Sequence, residues 1–144
     1  MNETLPIASE APSAASAVAV TFAPGLTHVS RIYCGRDIPR DRRVDLGSCT
    51  GRYTEITDRG VERFIREVVA PAFPDGFSVL HGTGGWRDTV TGEPILERSL
   101  VVEVAHGPTD SEAEAVRSVA REWKRWAQQQ AVMVTTERRD VAFV

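Results

Sequence analysis

The sequence predicts an α+β fold, namely one ferredoxin-like domain with two helices packed on one face of a four-stranded antiparallel sheet. Four segments show the alternating polarity and the β-branched or aromatic residues typical of strands. Two segments show the 3.6-residue period of an amphipathic helix. The order along the chain is strand, helix, strand, strand, helix, strand. In this βαββαβ pattern the crossovers are right-handed, so both helices lie on the same face.

Length and composition limit the classes of protein to consider. The chain has 144 residues, of which 42% are hydrophobic and 26% charged, as in an ordinary globular domain. A net charge of −3 and a pI near 5.6 argue against a nucleic-acid partner. We expect no membrane association, because no stretch approaches the roughly 20 apolar residues of a spanning helix. The N-terminus lacks the basic segment of a secretory signal, which predicts a cytoplasmic location.

The first part of the chain is expected to be a flexible N-terminal tail at residues 1–26, followed by the domain at residues 27–144. The tail is rich in Ala, Ser and Pro and has no regular pattern before Val18. Its segment Val18 to Phe22 is a candidate edge strand, or a strand exchanged with a neighbouring subunit. The first strand of the domain is predicted from about Thr27 to Gly35.

Residues 36–56 show no sustained period and are predicted to form a long loop. Arg36 and three further arginines alternate there with aspartates, which is typical of a solvated surface. A loop of this length is more often functional or mobile than accidental. Cys49 in this loop is expected to be a free thiol and Cys34 in the preceding strand a buried one, with a disulfide between them as the alternative.

The first helix is predicted to begin at Thr57 or Asp58, either of which can cap it. It should end near Ala70, because Pro71 disfavours a helical conformation in the residue before it. Its apolar stripe consists of Val61, Phe64, Ile65, Val68 and Val69.

The second half of the chain is predicted to contain a hairpin, a helix and a last strand. The hairpin pairs Phe77–His81 with Leu96–Ala105, and Thr91–Glu93 supplies its turn. The glycines after His81 predict a bulge or a close backbone approach. The helix begins at Asp110 or Ser111, with Ser111 and Glu114 at capping-box spacing. The last strand covers Val132–Thr136 and resumes at Val141–Val144.

The sheet face without helices, here called the open face, is expected to be buried by another subunit. Because strand residues alternate between faces, an open face rich in Val, Leu and aromatic residues is typical of an interface. We therefore expect a homo-oligomer, most simply a homodimer, with a dimeric α+β barrel as one such arrangement.

Three short motifs carry a resemblance to a known family. They are the stretch from Phe64 to Leu80 with its Phe-Pro-Asp-Gly turn, then Gly85-Trp86-Arg87, then Glu97-Arg98-Ser99. In order and spacing they resemble a family of small bacterial proteins known only as a domain of unknown function. The resemblance runs from about Arg31 to the C-terminus and implies no particular activity.

Polar residues in the two central strands form the first candidate site. We expect the first and third strands to be adjacent and parallel, with Arg31, Tyr33 and Glu103 on the open face. Arg31 and Glu103 could form a structural ion pair at a subunit interface. Alternatively, Arg31 binds a substrate anion and Tyr33 donates a hydrogen bond to it.

The hairpin supplies the second group of candidates. His81 is the best general-base candidate because its unperturbed pKa lies near neutrality, although a satisfied structural histidine is the alternative. Trp86, Arg87 and Glu97 are expected at facing hairpin positions, with Glu97 as acid or base and Arg87 as anion holder. The same trio could instead lock the hairpin. His28 and His106 are expected to face solvent.

These residues lead to a functional hypothesis of a cofactor-independent enzyme that uses acid-base chemistry on a small polar or anionic molecule. A lyase, an isomerase and a hydrolase all fit, with His81, Glu97 and Tyr33 as catalytic residues. The substrate would be bound by Arg31, Trp86, Arg87 and Glu103. No metal site and no nucleotide cofactor are expected, because no matching motif is present. The competing hypothesis is a non-catalytic oligomeric ligand-binding or structural module.

Overall fold

The computed structural model describes residues 21–22, 25–39, 53–88 and 91–144. The strands are β1 (Thr21–Phe22), β2 (His28–Gly35), β3 (Asp37–Pro39), β4 (Tyr53–Glu55), β5 (Ser78–Arg87), β6 (Pro94–His106), β7 (Met133–Arg138) and β8 (Ala142–Phe143). The helices are α1 (Asp58–Phe64), which continues through a π-helical segment (Ile65–Val69) into α2 (Ala70–Ala72), and α3 (Asp110–Trp126). None of the helices in these ranges is long and apolar enough to cross a membrane.

The main sheet has four strands in the order β5, β6, β2, β7, and every neighbouring pair is antiparallel. This order and the single layer of two helices on one face of the sheet confirm the ferredoxin-like α+β fold. The expectation that the first and third strands are parallel is wrong. β5 returns in the direction of β2 after the helical crossover, and the hairpin then reverses β6, so β6 runs opposite to its neighbour β2.

The first helical stretch is longer than the sequence predicts. Thr57 caps it and accepts a hydrogen bond from the backbone N–H of Gly60 at 3.2 Å, as expected. It continues past Ala70 to Ala72, however, through Pro71. The π-helical segment ends immediately before Ala70, and its wider i→i+5 bonding accommodates the missing N–H and the ring of Pro71.

The second long helix, α3, begins at Asp110 as predicted, but its capping box lies two residues earlier than expected. Thr109 accepts from the backbone N–H of Glu112, and the Glu112 carboxylate accepts from the backbone N–H of Thr109, each at 3.2 Å. The prediction that Ser111 and Glu114 form the box is wrong. Glu114 instead pairs with Arg117 and Arg121 on the exposed face of the helix.

The core lies between the helices and one face of the sheet. Alternate β2 residues Ser30, Ile32 and Cys34 are buried there, together with Leu100 and Val102 of β6. The predicted helix stripes are confirmed, because their buried members include Val61, Phe64, Val69, Val116, Val119, Ala120, Trp123 and Ala127. Burial raises the pKa of the Cys34 thiol to about 12. The partner proposed for a disulfide, Cys49, lies outside the described residues.

Two short strand pairs flank the main sheet. β3 pairs with β4, so part of the segment predicted as a loop is a two-stranded arm; residues 40–52 lie outside the described residues. β1 pairs with β8 in a separate two-stranded sheet, so the candidate strand near Phe22 is not an edge of the main sheet; residues 18–20 lie outside the described residues. The last long strand is Met133–Arg138, so it extends two residues beyond the predicted end.

A buried polar cluster lies on the helix side of the sheet. His106 is 7% exposed, so the expectation that it faces solvent is wrong. Its Nε2 lies 2.7 Å from the Ser30 hydroxyl, which in turn lies 2.7 Å from the Thr136 hydroxyl. The Gly107 carbonyl lies 2.7 Å from Nδ1 and accepts a hydrogen bond from it, which leaves Nε2 to accept a hydrogen bond from the Ser30 hydroxyl. The cluster satisfies its own hydrogen bonds.

Candidate functional site

Side chains on the open face are ordered in rows that cross the sheet. One row is apolar and consists of Leu80, Val101, Tyr33 and Met133, which are register partners on the four strands. Leu80 is 53% and Met133 58% exposed, so no residue in the described part of the chain covers the two ends of this apolar row. A second row, on the side towards the start of β2, contains Arg31 and Glu103.

Beyond the apolar row, towards the end of β2, the open face has almost no side chains. Gly35, Ser99 and Gly82 are register partners there, and Gly84 follows on β5. We call these four residues the bare strip. On its far side lies Trp86, opposite Ile95. Leu80 and Trp86 are six residues apart on one strand, which separates them by roughly 20 Å at about 3.3 Å per residue.

The Glu97 carboxylate lies over the bare strip. Glu97 is the register partner of Gly84, and its Oε2 accepts the backbone N–H of Asp37 at 2.8 Å. A Cβ atom on Gly35 would come within 2.7 Å of the Glu97 carboxyl carbon, closer than carbon atoms approach without bonding. Glycine at position 35 is therefore needed for the carboxylate to reach this place.

Burial sets the charge behaviour of Glu97. Desolvation raises its pKa, the Asp37 N–H bond lowers it, and the nearby Asp37 carboxyl raises it, with a net rise. The pKa of Asp37 is also raised, by desolvation first and then by the charge of Glu55. A carboxyl group whose pKa is moved towards neutrality on a sparsely covered surface is suited to exchange protons with a bound molecule.

Arg31 is held by two carboxylates on the other side of the apolar row. Its Nε donates to Glu103 at 2.6 Å and its Nη1 to Glu137 at 2.5 Å, and these bonds raise its pKa. The ion pair of Arg31 with Glu103 was expected from the sequence. Glu137 also accepts from Arg139 at 2.7 Å, so two arginines and two carboxylates balance in this cluster.

His81 and Arg87 do not lie with the other candidates. His81 is opposite Leu100 and Arg87 opposite Pro94, and Leu100 belongs to the buried face, so both point to the helix side of the sheet. Arg87 donates to the carbonyl of Gly92 in the hairpin turn at 2.8 Å. The expectation that Arg87 and Glu97 occupy facing hairpin positions is therefore wrong, because the two side chains leave opposite faces.

The structure thus brings Tyr33, Trp86 and Glu97 around the bare strip, and it places Arg31 and Glu103 next to it. Sequence reasoning missed Gly35 and Ser99, which complete the strip. The signal was present in the parity of the strands, since both share the parity of residues assigned to the open face. No group of three or more His, Cys, Asp or Glu side chains in the described ranges could hold a metal ion.

The fold is similar to two solved structures of a phage SAM lyase. The lyase in complex with S-methyl-5'-thioadenosine has a TM-score of 0.59 and 16% sequence identity, covering 82% of this chain and 85% of that chain. The apo lyase has a TM-score of 0.51 and 17% identity, covering 83% and 86%. At these identities the likeness concerns the fold.

Family membership is shown by sequence. No curated protein matches the chain. A family model does match residues 30–143, which contain the three motifs and every candidate site residue. The chain therefore belongs to the family described as protein of unknown function DUF3574, the kind of family that its motifs resemble.

Proposed function

We propose that the protein is a cofactor-independent lyase that binds a small, positively charged organic molecule on the bare strip. Glu97 is its general base. The observation that carries this proposal is the position of the Glu97 carboxylate, half-buried above a strip in which Gly35, Gly82 and Gly84 carry no side chain and Ser99 a short one. The fold of the SAM lyase supports it, because that lyase has the same arrangement of elements.

The charge distribution favours a cation over the anionic molecule that the sequence suggested. Glu97 and Asp37 place two carboxyl groups at the strip. Arg31, the cationic side chain on the open face of β2, is already paired with Glu103 and Glu137. A bound cation would lower the pKa of Glu97 and keep it ionised, which is the form that a general base needs.

The size and lining of the strip fit a flat ring attached to a short polar chain. Trp86, 39% exposed, provides an aromatic face at one end, on which a ring can stack or over which a cation can lie. Tyr33 provides a phenolic hydroxyl at the other end. S-Adenosylmethionine, a sulfonium nucleoside, is the first candidate, since the similar fold belongs to a SAM lyase.

The proposed chemistry is an elimination. Glu97 takes a proton from the substrate, and the electron pair released forms a new bond within the substrate as its bond to the leaving group breaks. For a sulfonium substrate the second electron pair goes to sulfur, and a neutral thioether leaves. Glu97 then returns the proton to solvent, so no oxidant, metal or cofactor is required. Tyr33 orients the substrate by a hydrogen bond.

The test is direct. The purified protein is incubated with S-adenosylmethionine, and the thioether product is separated and quantified by chromatography. We expect turnover that falls at least roughly a hundredfold in Glu97→Gln, as for loss of a general base. Glu137→Gln removes a carboxylate from the same face beyond the apolar row and should turn over like wild type. Equal rates for all three proteins would remove Glu97 from the mechanism.

A second candidate function, a homo-oligomeric ligand-binding module, is favoured by the exposed apolar row. Leu80 and Met133 lie at its two ends on the outermost strands of the sheet, so the row presents apolar surface across all four strands. Such a surface is typical of a subunit interface. Light scattering on wild type and Leu80→Ser tests this second candidate. A binding module predicts an oligomer that is lost in Leu80→Ser, and no catalysis by either protein.

A further inference from the structure

The corner between β2 and β3 is held by hydrogen bonds at consecutive residues, beginning with Gly35. The Gly35 carbonyl accepts two side-chain hydrogen bonds, from Nε1 of Trp123 at 2.9 Å and from Nε2 of Gln129 at 2.7 Å. Trp123 is fully buried in the core. The start of the corner is therefore anchored to α3 and to the segment that follows it.

Arg36, the next residue, is tied through both its backbone groups. Its N–H donates to the carbonyl of Arg98 at 3.0 Å, and its carbonyl accepts from the N–H of Ile56 at 2.8 Å. The corner therefore lies between the residue that follows Glu97 on β6 and the residue that follows β4. The N–H of Asp37 then points to the Glu97 carboxylate.

The side chain of Arg36 is buried to 1% exposure, although the sequence placed it in a solvated loop. Its Nε and Nη2 donate to the Ile56 carbonyl at 2.8 and 2.5 Å. Its Nη1 lies 2.9 Å from Asp58 Oδ1, and its Nε lies 3.2 Å from Glu55 Oε1. One guanidinium thus joins the β2–β3 corner to the end of β4 and the start of α1, which only its fork of donors can do.

We propose that Arg36 is a positioning residue for Glu97: its side chain fixes the corner so that the backbone N–H of Asp37 reaches the Glu97 carboxylate. The consequence of this positioning for catalysis rests on the proposed function, whereas its effect on the Glu97 pKa does not. The guanidinium acts through the backbone, since it contacts Glu55, Ile56 and Asp58 and not Glu97 itself.

The groups that face Glu97 define what a moved corner would change. β5 presents Gly84 there, Asp37 presents its N–H and its carboxyl, and the backbone of Arg36 also hydrogen-bonds to the carboxylate. Arg98, next to Glu97 on β6, points to the helix side and binds Asp58. A corner that moves away withdraws the Asp37 and Arg36 backbone hydrogen bonds, both of which lower the pKa of Glu97, so that pKa should rise further above its ordinary value.

The test uses carboxyl carbon NMR to follow the Glu97 titration in the folded protein, with Glu97→Gln for assignment. Arg36→Lys keeps the charge and loses the fork, and Arg36→Met loses both. Arg98→Met is the matched control, because Arg98 pairs with the same Asp58 and Glu55 from an exposed position. We expect the Glu97 pKa to rise further in both Arg36 variants and to keep its wild-type value in Arg98→Met.

Other outcomes would overturn the proposal. A wild-type titration in Arg36→Lys would show that only the charge matters, and an equal shift in Arg98→Met would show that any arginine of the cluster suffices. If the Arg36 variants do not fold, the test is the pH dependence of the Asp37 amide chemical shift in the wild-type protein. That shift should titrate with the Glu97 carboxyl and lose that titration in Glu97→Gln; an unresponsive amide refutes the positioning contact. A catalytic defect can be absent while this result holds, which separates failure of the lyase proposal from failure of this one.

Discussion

Replacement of Gly35 by alanine tests whether the Glu97 carboxylate lies where the structure has it. The new methyl group would come within 2.7 Å of the carboxyl carbon, whereas carbon atoms in contact lie about 3.5–4.0 Å apart. The carboxylate must therefore move by roughly 1 Å, and it does so at the expense of its 2.8 Å bond to the Asp37 N–H.

The expected cost follows from that bond. A hydrogen bond to a charged group contributes about 1.5–3 kcal/mol, and its loss leaves the Asp37 N–H without this acceptor. Alanine in place of glycine returns about 0.4–1 kcal/mol by restricting the unfolded chain. We expect Gly35→Ala to lower the free energy of unfolding by about 1–2 kcal/mol.

Urea denaturation measures this, read as a lower midpoint with an unchanged slope. Gly82→Ala is the matched control, because a Cβ there would lie 3.9 Å from the Ser99 hydroxyl and displace nothing. A double-mutant cycle with Glu97→Ala isolates the contact. Without the carboxylate, Gly35→Ala should cost nothing. An undiminished cost in the Glu97→Ala background would refute the close approach of these two residues.

Three further predictions concern the frame around the site. Thr109→Ala removes the cap of α3 and should cost about 1 kcal/mol in urea denaturation, while Thr109→Ser, which keeps the hydroxyl, should cost little. The pKa of Asp58 is lowered by its two arginine partners, first Arg36, so its contribution to stability is present above the unfolded carboxyl pKa and disappears as the pH falls through the lower folded pKa. Asp58→Asn should accordingly reduce stability at neutral pH and flatten its acid dependence; an acid limb as steep as wild type would contradict this. Because burial raises the pKa of Cys34 to about 12, iodoacetamide at pH 8 should alkylate Cys34 only at the rate of unfolding. Mass spectrometry measures this in a protein whose other cysteine is replaced by serine. Rapid alkylation of the folded protein would contradict the burial of Cys34.

The elements and the core were accessible from the sequence because their signals are local. The 3.6-residue spacing of Val116, Val119 and Trp123 identifies a buried stripe without knowledge of what it packs against. The alternation in β2 likewise separates Arg31 and Tyr33 from the core residues between them. Errors at this level, such as the extension of the first helix through Pro71, came from a π-helical segment that no local rule predicts.

The sheet face to which each β5 side chain points could not be predicted in the same way. Its residues Val79 and Leu80 are both apolar, so alternation does not say which of them points to the core, and the face of His81 follows from that choice. The pairing of Leu80 with Val101 settles it and sends His81 to the helix side. Arg36 was misjudged for a related reason, since its burial depends on carbonyl and carboxylate groups about 20 residues away.

The sequence by itself therefore determined the fold class, the order of elements, the buried stripes and the family, because each is encoded by neighbouring residues or by motifs at fixed spacing. The tertiary structure decided which side chains meet. Only strand register brings Gly35, Ser99, Gly82 and Gly84 into one strip, and only the turn from β2 into β3 brings the backbone N–H of Asp37 to Glu97. Register and long-range hydrogen bonds are properties of the packed chain, so a candidate site built from them becomes visible only after folding.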